Sequence, residues 1–145
     1  MPATRVLVVA NRTAATPSLL DAVRDRAARG PAEFTLLVPN PVRGLDRVTD
    51  PEDQDSNEAR DVLELALPLM EDAAGGRVDG MIGDAEPLAA IQDAINIHGF
   101  DEVILSTLSR RVSRWLHLDL PRKVAGLGLP VTTVTAGDRA AAQVP

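Results

Sequence analysis

"GDAEPLAAIQDAINIHGFDEVILST", residues 83–107, is the stretch on which the fold turns. A Gly-Asp pair opens it, and Asp84 stands where a helix cap belongs. Leu88, Ile91, Ile95 and Ile97 then supply the apolar side of a helix. His98-Gly99 closes that helix, with glycine free to take the left-handed turn after the last helical residue. His98 reads as a last-turn partner of the helix dipole or a spacer, not as a ligand. Residues 102–105, EVIL, follow as a short apolar strand. A helix that delivers the chain directly into a continuous apolar strand is one half of a βαβ unit, and the rest of the chain repeats the arrangement.

Outward from there, VLVVA (residues 6–10) is a near-continuous apolar run, the form taken by a strand buried on both faces. Thr16-Pro17 opens a helix with a capping residue and a proline in the first turn; Leu19, Leu20, Val23 and Ala27 make its apolar stripe and Gly30 ends it. FTLLV (34–38) is the second strand. Residues 39–56 are rich in proline and aspartate and read as a mobile surface loop. Asp55 with Glu58 resembles a capping box for the next helix, which carries Val62, Leu63, Leu65, Ala66, Leu69 and Met70; Pro68 is expected to kink it or end its regular part. RVDGMIG (77–83) is a weaker third strand, residues 119–126 form a last helix, and VTTV (131–134) is the fifth strand. Strand and helix alternate in units long enough for right-handed crossovers, which predicts a parallel sheet covered by helices on both faces. Residues 1–137 make one α/β domain, with the 39–56 loop inside it and a frayed tail over 138–145. Ligands of such sheets sit beyond the carboxyl ends of the strands, where strand order reverses, so residues 11–15, 38–40, 83–84 and 106–119 are the segments to examine.

Composition narrows the function. The chain has 145 residues, no cysteine and a net charge of −6. No disulfide framework or thiolate metal site is available, and no apolar run is long enough to span a bilayer. A cytoplasmic protein is the expectation. Acidic charge and only three aromatic residues, Phe34, Phe100 and Trp115, argue against a nucleic acid or a membrane as partner. The charge is uneven: residues 106–124 hold Arg110, Arg111, Arg114, Arg122 and Lys123 against Asp119, a local +4. A small anion as ligand and a solvated basic face are equally weighted readings.

Several machineries are missing. No glycine follows the first strand in ANRTAATPS, so the dinucleotide fingerprint fails, and no Walker lysine loop is present. The acidic pair and lysine of a phospho-receiver are absent. Ser106, His117 and Asp119 can be drawn as a triad, but loop residues this close in sequence seldom reach triad geometry. Two distant histidines with no clustered carboxylates predict no metal site.

The order of elements, residues 83–107, and SRWLHLDLPRKVAGLGLPVTTV (113–134) with its Leu-Pro-Val entry into the last strand together resemble the universal stress protein family. VLVVANRT fits the family's first strand, and only residues 39–56 fall outside the match. The resemblance implies a single-domain three-layer sandwich of the adenine-nucleotide-alpha-hydrolase type, with a five-stranded parallel sheet in the order 3-2-1-4-5. It also implies a homodimer through the edge strand Val131–Thr135, which an unpaired apolar edge independently favours.

Nucleotide-binding members of that family carry G-x-x-G-x(9)-G-[ST] after the fourth strand. On this chain Ser106 and Ser109 fall at the first two glycines; placing Leu118 at the third and Asp119 at the Ser/Thr leaves one residue fewer between, and no glycine at all. The aspartate that faces the base or ribose corresponds to Asn11. Side chains at glycine positions obstruct the close approach of backbone to phosphate. Asp119 as an N-cap would satisfy the helix amides itself and repel phosphate. Against this, Arg110, Arg111 and Arg114 can bind an anion in bidentate fashion without glycine. The implied pocket is lined by Asn11, Arg12, Thr13, Val38, Ser106, Thr107, Ser109, Arg110, Arg111 and Asp119. Trp115 is read as packing rather than base stacking. The leading expectation is a universal-stress-like regulatory or binding protein, not a catalyst, with weak or absent ATP binding; ATP or AMP is disfavoured as a cofactor, and no catalytic or metal residue is assigned. The alternatives are an enzyme acting on nucleotides or phosphoesters through the Ser/Thr/Arg loop, and a purely structural dimer module.

Overall fold

In the computed structural model, the described residues are 3–11, 13–40, 51–84, 86–107, 114–117 and 119–135. Their order is β1 (Thr4–Val9), α1 (Pro17–Ala28), β2 (Ala32–Pro39), α2 (Pro51–Ala74), β3 (Val78–Gly83), α3 (Pro87–His98), β4 (Glu102–Thr107), α4 (Arg114–His117), α5 (Leu120–Ala125) and β5 (Val131–Thr135). All four strand pairings are parallel and the sheet runs β3-β2-β1-β4-β5. This is the predicted class and the predicted strand order.

Alternation along the strands divides the core in two. Val6 and Val8 of β1, Phe34, Leu36 and Val38 of β2 and Ile104 of β4 face α1 and α2, where they meet Leu19, Val23, Leu63, Ala66 and Met70. Leu7, Val9, Leu37, Val103 and Leu105 point the other way, onto Ala90, Ile91 and Ala94 of α3 and Trp115, Leu120 and Val124 of α4 and α5. Each large aliphatic side chain so buried contributes about 1.5–3 kcal/mol relative to exposure. β1 is sealed on both faces, which is why its sequence shows no polar alternation.

Glycine matters most at Gly83. A Cβ there would lie 2.8 Å from Ala90 Cβ and 2.9 Å from Leu37 Cδ1. The missing side chain lets the first turn of α3 sit directly on the end of β3.

Several local expectations change. α2 begins at Pro51, four residues before Asp55, so residues 51–56 belong to the helix and not to the loop; residues 41–50 lie outside the described residues. Proline suits a first helical turn because its missing N–H has no intrahelical acceptor there. The helix runs through Pro68 to Ala74 and does not end at it. Leu65 and Leu69, counted with the apolar face, are exposed instead, as is Ile97 of α3. The cap of α3 is Glu86, whose carboxylate accepts from the Leu88 amide at 3.0 Å; Asp84 instead accepts from the Glu86 amide at 2.9 Å, one turn ahead. Gly99, at φ 76°, closes α3 as expected. β4 extends two residues beyond the apolar run, taking in Ser106 and Thr107, and the four-residue helix α4 has no sequence forecast. The tail over 138–145 lies outside the described residues.

Candidate functional site

The chain leaves β1 toward β2 on one side, while β4 continues to β5 on the other. The carboxyl ends of β1 and β4 therefore flank the point where strand order reverses. Val9 of β1 lies beside Leu105 of β4, so residues 10–13 and 106–107 emerge next to each other.

The first of these segments is tied down tightly. The Asn11 carbonyl accepts from the Ala14 amide at 3.1 Å, and the Thr13 carbonyl accepts from both the amide (3.1 Å) and the hydroxyl (2.8 Å) of Thr16. Thr16 occupies the N-cap position of α1, with Pro17 next, yet its side chain turns back to Thr13 and makes no cap bond. These bonds tie Asn11 to Ala14 and Thr13 to Thr16 just ahead of α1.

The Thr13 hydroxyl lies 2.6 Å from the Ser106 hydroxyl, and both residues are buried. This bond joins the loop after β1 to the last turn of β4. It is short enough to be a good O–H···O bond in a region where an unmatched hydroxyl costs about 1–3 kcal/mol. Ser106, which falls at the family pattern's first glycine, thus has both a side chain and a partner there. It is 0% exposed. The chemistry drawn for a Ser106–His117–Asp119 triad is not assembled: the serine hydroxyl meets Thr13, and the Asp119 carboxylate is exposed, 3.7 Å from Arg122.

Among the described residues, two polar atoms at the same end of the sheet are buried without a partner, Thr107 Oγ1 and Asn40 Oδ1. Asn40 follows β2 and its amide donates to the Gly83 carbonyl at 3.0 Å, which ties the ends of β2 and β3 together. It replaces Val38 as the β2 residue of interest. The Val38 side chain is buried in the core under α1 and α2, which leaves its backbone groups as what it can present at the strand end. The expectation that residues 38–40 matter includes this residue, while the pocket implied by the resemblance names Val38.

Asp119 corrects the reading of the pattern. Its backbone is left-handed, φ 60°, the only non-glycine residue among those described with positive φ. Its side chain makes no cap bond, so it does not satisfy the α5 amides as expected. Left-handed backbone is what a glycine supplies without strain. Counted from Ser109, nine residues (110–118) precede Asp119, so the third glycine of the pattern matches Asp119 with full spacing, and the Ser/Thr matches Leu120. Leu120 is buried against the α3 side of the core. The hydroxyl that the pattern places at the helix start is here an aliphatic core residue. Arg12, Ser109, Arg110 and Arg111 lie outside the described residues, as does Leu118. Trp115 is 6% exposed and packs in the α3–α5 core, in keeping with a packing role. Among the described residues no group of three or more histidine, aspartate or glutamate side chains is placed to hold a metal ion, and no helix is long and apolar enough to cross a membrane.

With the sheet order and the strand-end geometry in hand, comparison with solved structures is decisive for the architecture. The chain superposes on a universal stress protein from Burkholderia pseudomallei at TM-score 0.65 and 16% identity, over 90% of this chain and 95% of that one. It superposes equally fully on one from Lactobacillus plantarum, at TM-score 0.64 and 17% identity over 93% and 98% of the two chains. The fold is that of the universal stress proteins. A third, from Archaeoglobus fulgidus and in complex with dAMP, matches at TM-score 0.61 and 18% identity over 92% and 98%. No protein-family model and no curated sequence relative matches the chain. The likeness therefore lies in how the backbone is laid out.

Proposed function

We propose that this chain is a universal-stress-like binding or regulatory protein whose nucleotide pocket is altered, so that ATP binds weakly or not at all. The observation that carries the reading is the buried Thr13–Ser106 hydroxyl bond at the β1–β4 carboxyl ends. Phosphate wrapping by main chain requires bare backbone at that turn, and here a side chain and its partner stand in the way. Asp119 and Leu120 add to this: a carboxylate at the left-handed position opposes an anion, and a buried leucine cannot donate to one. The fold-mate from Archaeoglobus fulgidus in complex with dAMP lends weight to a nucleotide-like ligand.

The unpartnered Thr107 Oγ1 and Asn40 Oδ1 support retention of some polar ligand. Two buried polar atoms without partners are costly unless something meets them. A nucleoside or monophosphate, held through hydroxyl and amide contacts, suits this lining better than a triphosphate. Binding rather than turnover is the role put forward here.

The test is mass analysis of small molecules released from protein purified without added nucleotide. A stoichiometric nucleoside or monophosphate agrees with the proposal, and stoichiometric ATP contradicts it. The same sample serves for the proposed homodimer through the exposed edge of β5: a solution mass twice the 15.4 kDa of the chain is expected, and Thr132→Lys on that strand should return it to the monomer value.

A further inference from the structure

A cavity of about 420 Å³ opens at the other end of the sheet, by the amino ends of β1, β2 and β3. The path of α3 leaves it there. The helix starts against Gly83 and Leu37 at the carboxyl edge and ends beside Arg5, crossing from β3 toward β4 as it descends. On that face the lower parts of β2 and β3 are left uncovered. Strand alternation sends Arg5, Thr35, Asp79 and Met81 to this face, since Thr35 lies beside Leu7 and Asp79, and Met81 beside Leu37.

The lining is chemically directed. Arg5 is held in place: its Nη1 donates to the His98 carbonyl, its guanidinium lies 5.3 Å from the centroid of the Phe100 ring, and its own amide donates to Asp101 Oδ2 at 2.8 Å. Arg77 Nε meets Asp79 Oδ1 at 3.1 Å and the rest of its side chain is solvent-exposed. The His98 ring stands edge-on to Phe100, with centroids 6.4 Å apart. Arg5, Arg77, His98 and Asp79 thus line one cavity, in a chain whose net charge is −6. Met81 and Phe100 supply apolar surface between the polar groups. Planar guanidinium pairs are suited to the two oxygens of a carboxylate or phosphate, and the volume lies in the range of small-molecule sites.

We propose that this cavity is a second binding site, which takes a small organic anion: Arg77 and Arg5 hold the carboxylate or phosphate, and Met81 and Phe100 contact a compact apolar body. It shares no residue with the carboxyl-edge site and stands or falls separately from the reading given there.

The test is a titration of the full chain, isotope-labelled for amide chemical shifts, with benzoate and with phenyl phosphate. Saturable shifts confined to residues 5, 35, 77–81 and 98–101 are expected with at least one probe, and which probe saturates first identifies the anionic group. Arg77→Ala, at a residue exposed enough to leave folding intact, should weaken binding about tenfold, and Asp79→Asn should tighten it severalfold. No saturation by either probe at about 20 mM, where a site of millimolar affinity is nearly full, overturns the proposal. So do shifts that appear only at residues 105–107 and 119–124, or an Arg77→Ala affinity equal to the parent's.

Discussion

Removing the Thr13–Ser106 bond one partner at a time gives the sharpest energetic test of the strand-end geometry. The two hydroxyls are 2.6 Å apart and both residues are buried, at 1% and 0% exposure. Thr13→Val keeps the shape of the side chain but leaves the Ser106 hydroxyl without a partner. Ser106→Ala does the same to Thr13. An orphaned buried hydroxyl costs about 1–3 kcal/mol, so each single change should destabilise by about 2 kcal/mol. The double variant has no orphan, because both hydroxyls are gone. Its cost should fall below the sum of the singles by about 1–2 kcal/mol. Urea unfolding reads this directly, because at a slope of about 2 kcal/mol per molar a 2 kcal/mol loss lowers the midpoint by about 1 M. Strict additivity, with a coupling of about 0.3 kcal/mol or less, would mean that the bond is not formed and that Ser106 is free to act at the carboxyl edge.

Other substitutions probe separate parts of the structure. Gly83→Ala pushes a methyl group against Ala90 and Leu37 and should cost about 1–3 kcal/mol in the same unfolding assay, with a neutral result showing that α3 does not sit on that strand end. Arg26 of α1 pairs with Glu102 at the start of β4, and both side chains are mostly buried. Arg26→Met should destabilise by about 2 kcal/mol, less than full burial would give because both groups keep some solvent; the loss should shrink in the Glu102→Gln background. Asp119→Gly relieves a left-handed aspartate and should raise the thermal midpoint slightly, the strain of up to about 1 kcal/mol being offset in part by greater freedom of the unfolded chain; a lowered midpoint contradicts the positive φ.

The architecture was readable because its signals are redundant. Continuous apolar runs such as VLVVA, a proline opening α1 and a glycine closing α3 all agree with alternating strands and helices. Element ends were less readable. Asp84 has the right residue type for a cap, but Glu86 is one position before Pro87 and takes the role. Pro51 was absorbed into a polar loop because residues 39–56 are low in apolar content, yet a helix start tolerates proline and acidic residues well. Leu65 and Leu69 show that an apolar residue in a helix is not thereby a core residue. At the site, the absence of glycine was visible from sequence. Two things were not: the Thr13–Ser106 bond, which joins residues 93 positions apart, and the left-handed backbone of Asp119, which sets the alignment of the pattern. Asn40 was missed because no periodic signal distinguishes a strand-end amide from any other loop residue.

Calorimetric titration of the purified chain with ATP is the most direct measurement of whether the turn beyond β4 can wrap a triphosphate. A dissociation constant of about 1 mM or weaker, equivalent to no more than about 4 kcal/mol, is the expected result. Saturable binding with low-micromolar affinity, lost on substitution at Ser106 or Asp119, would contradict it.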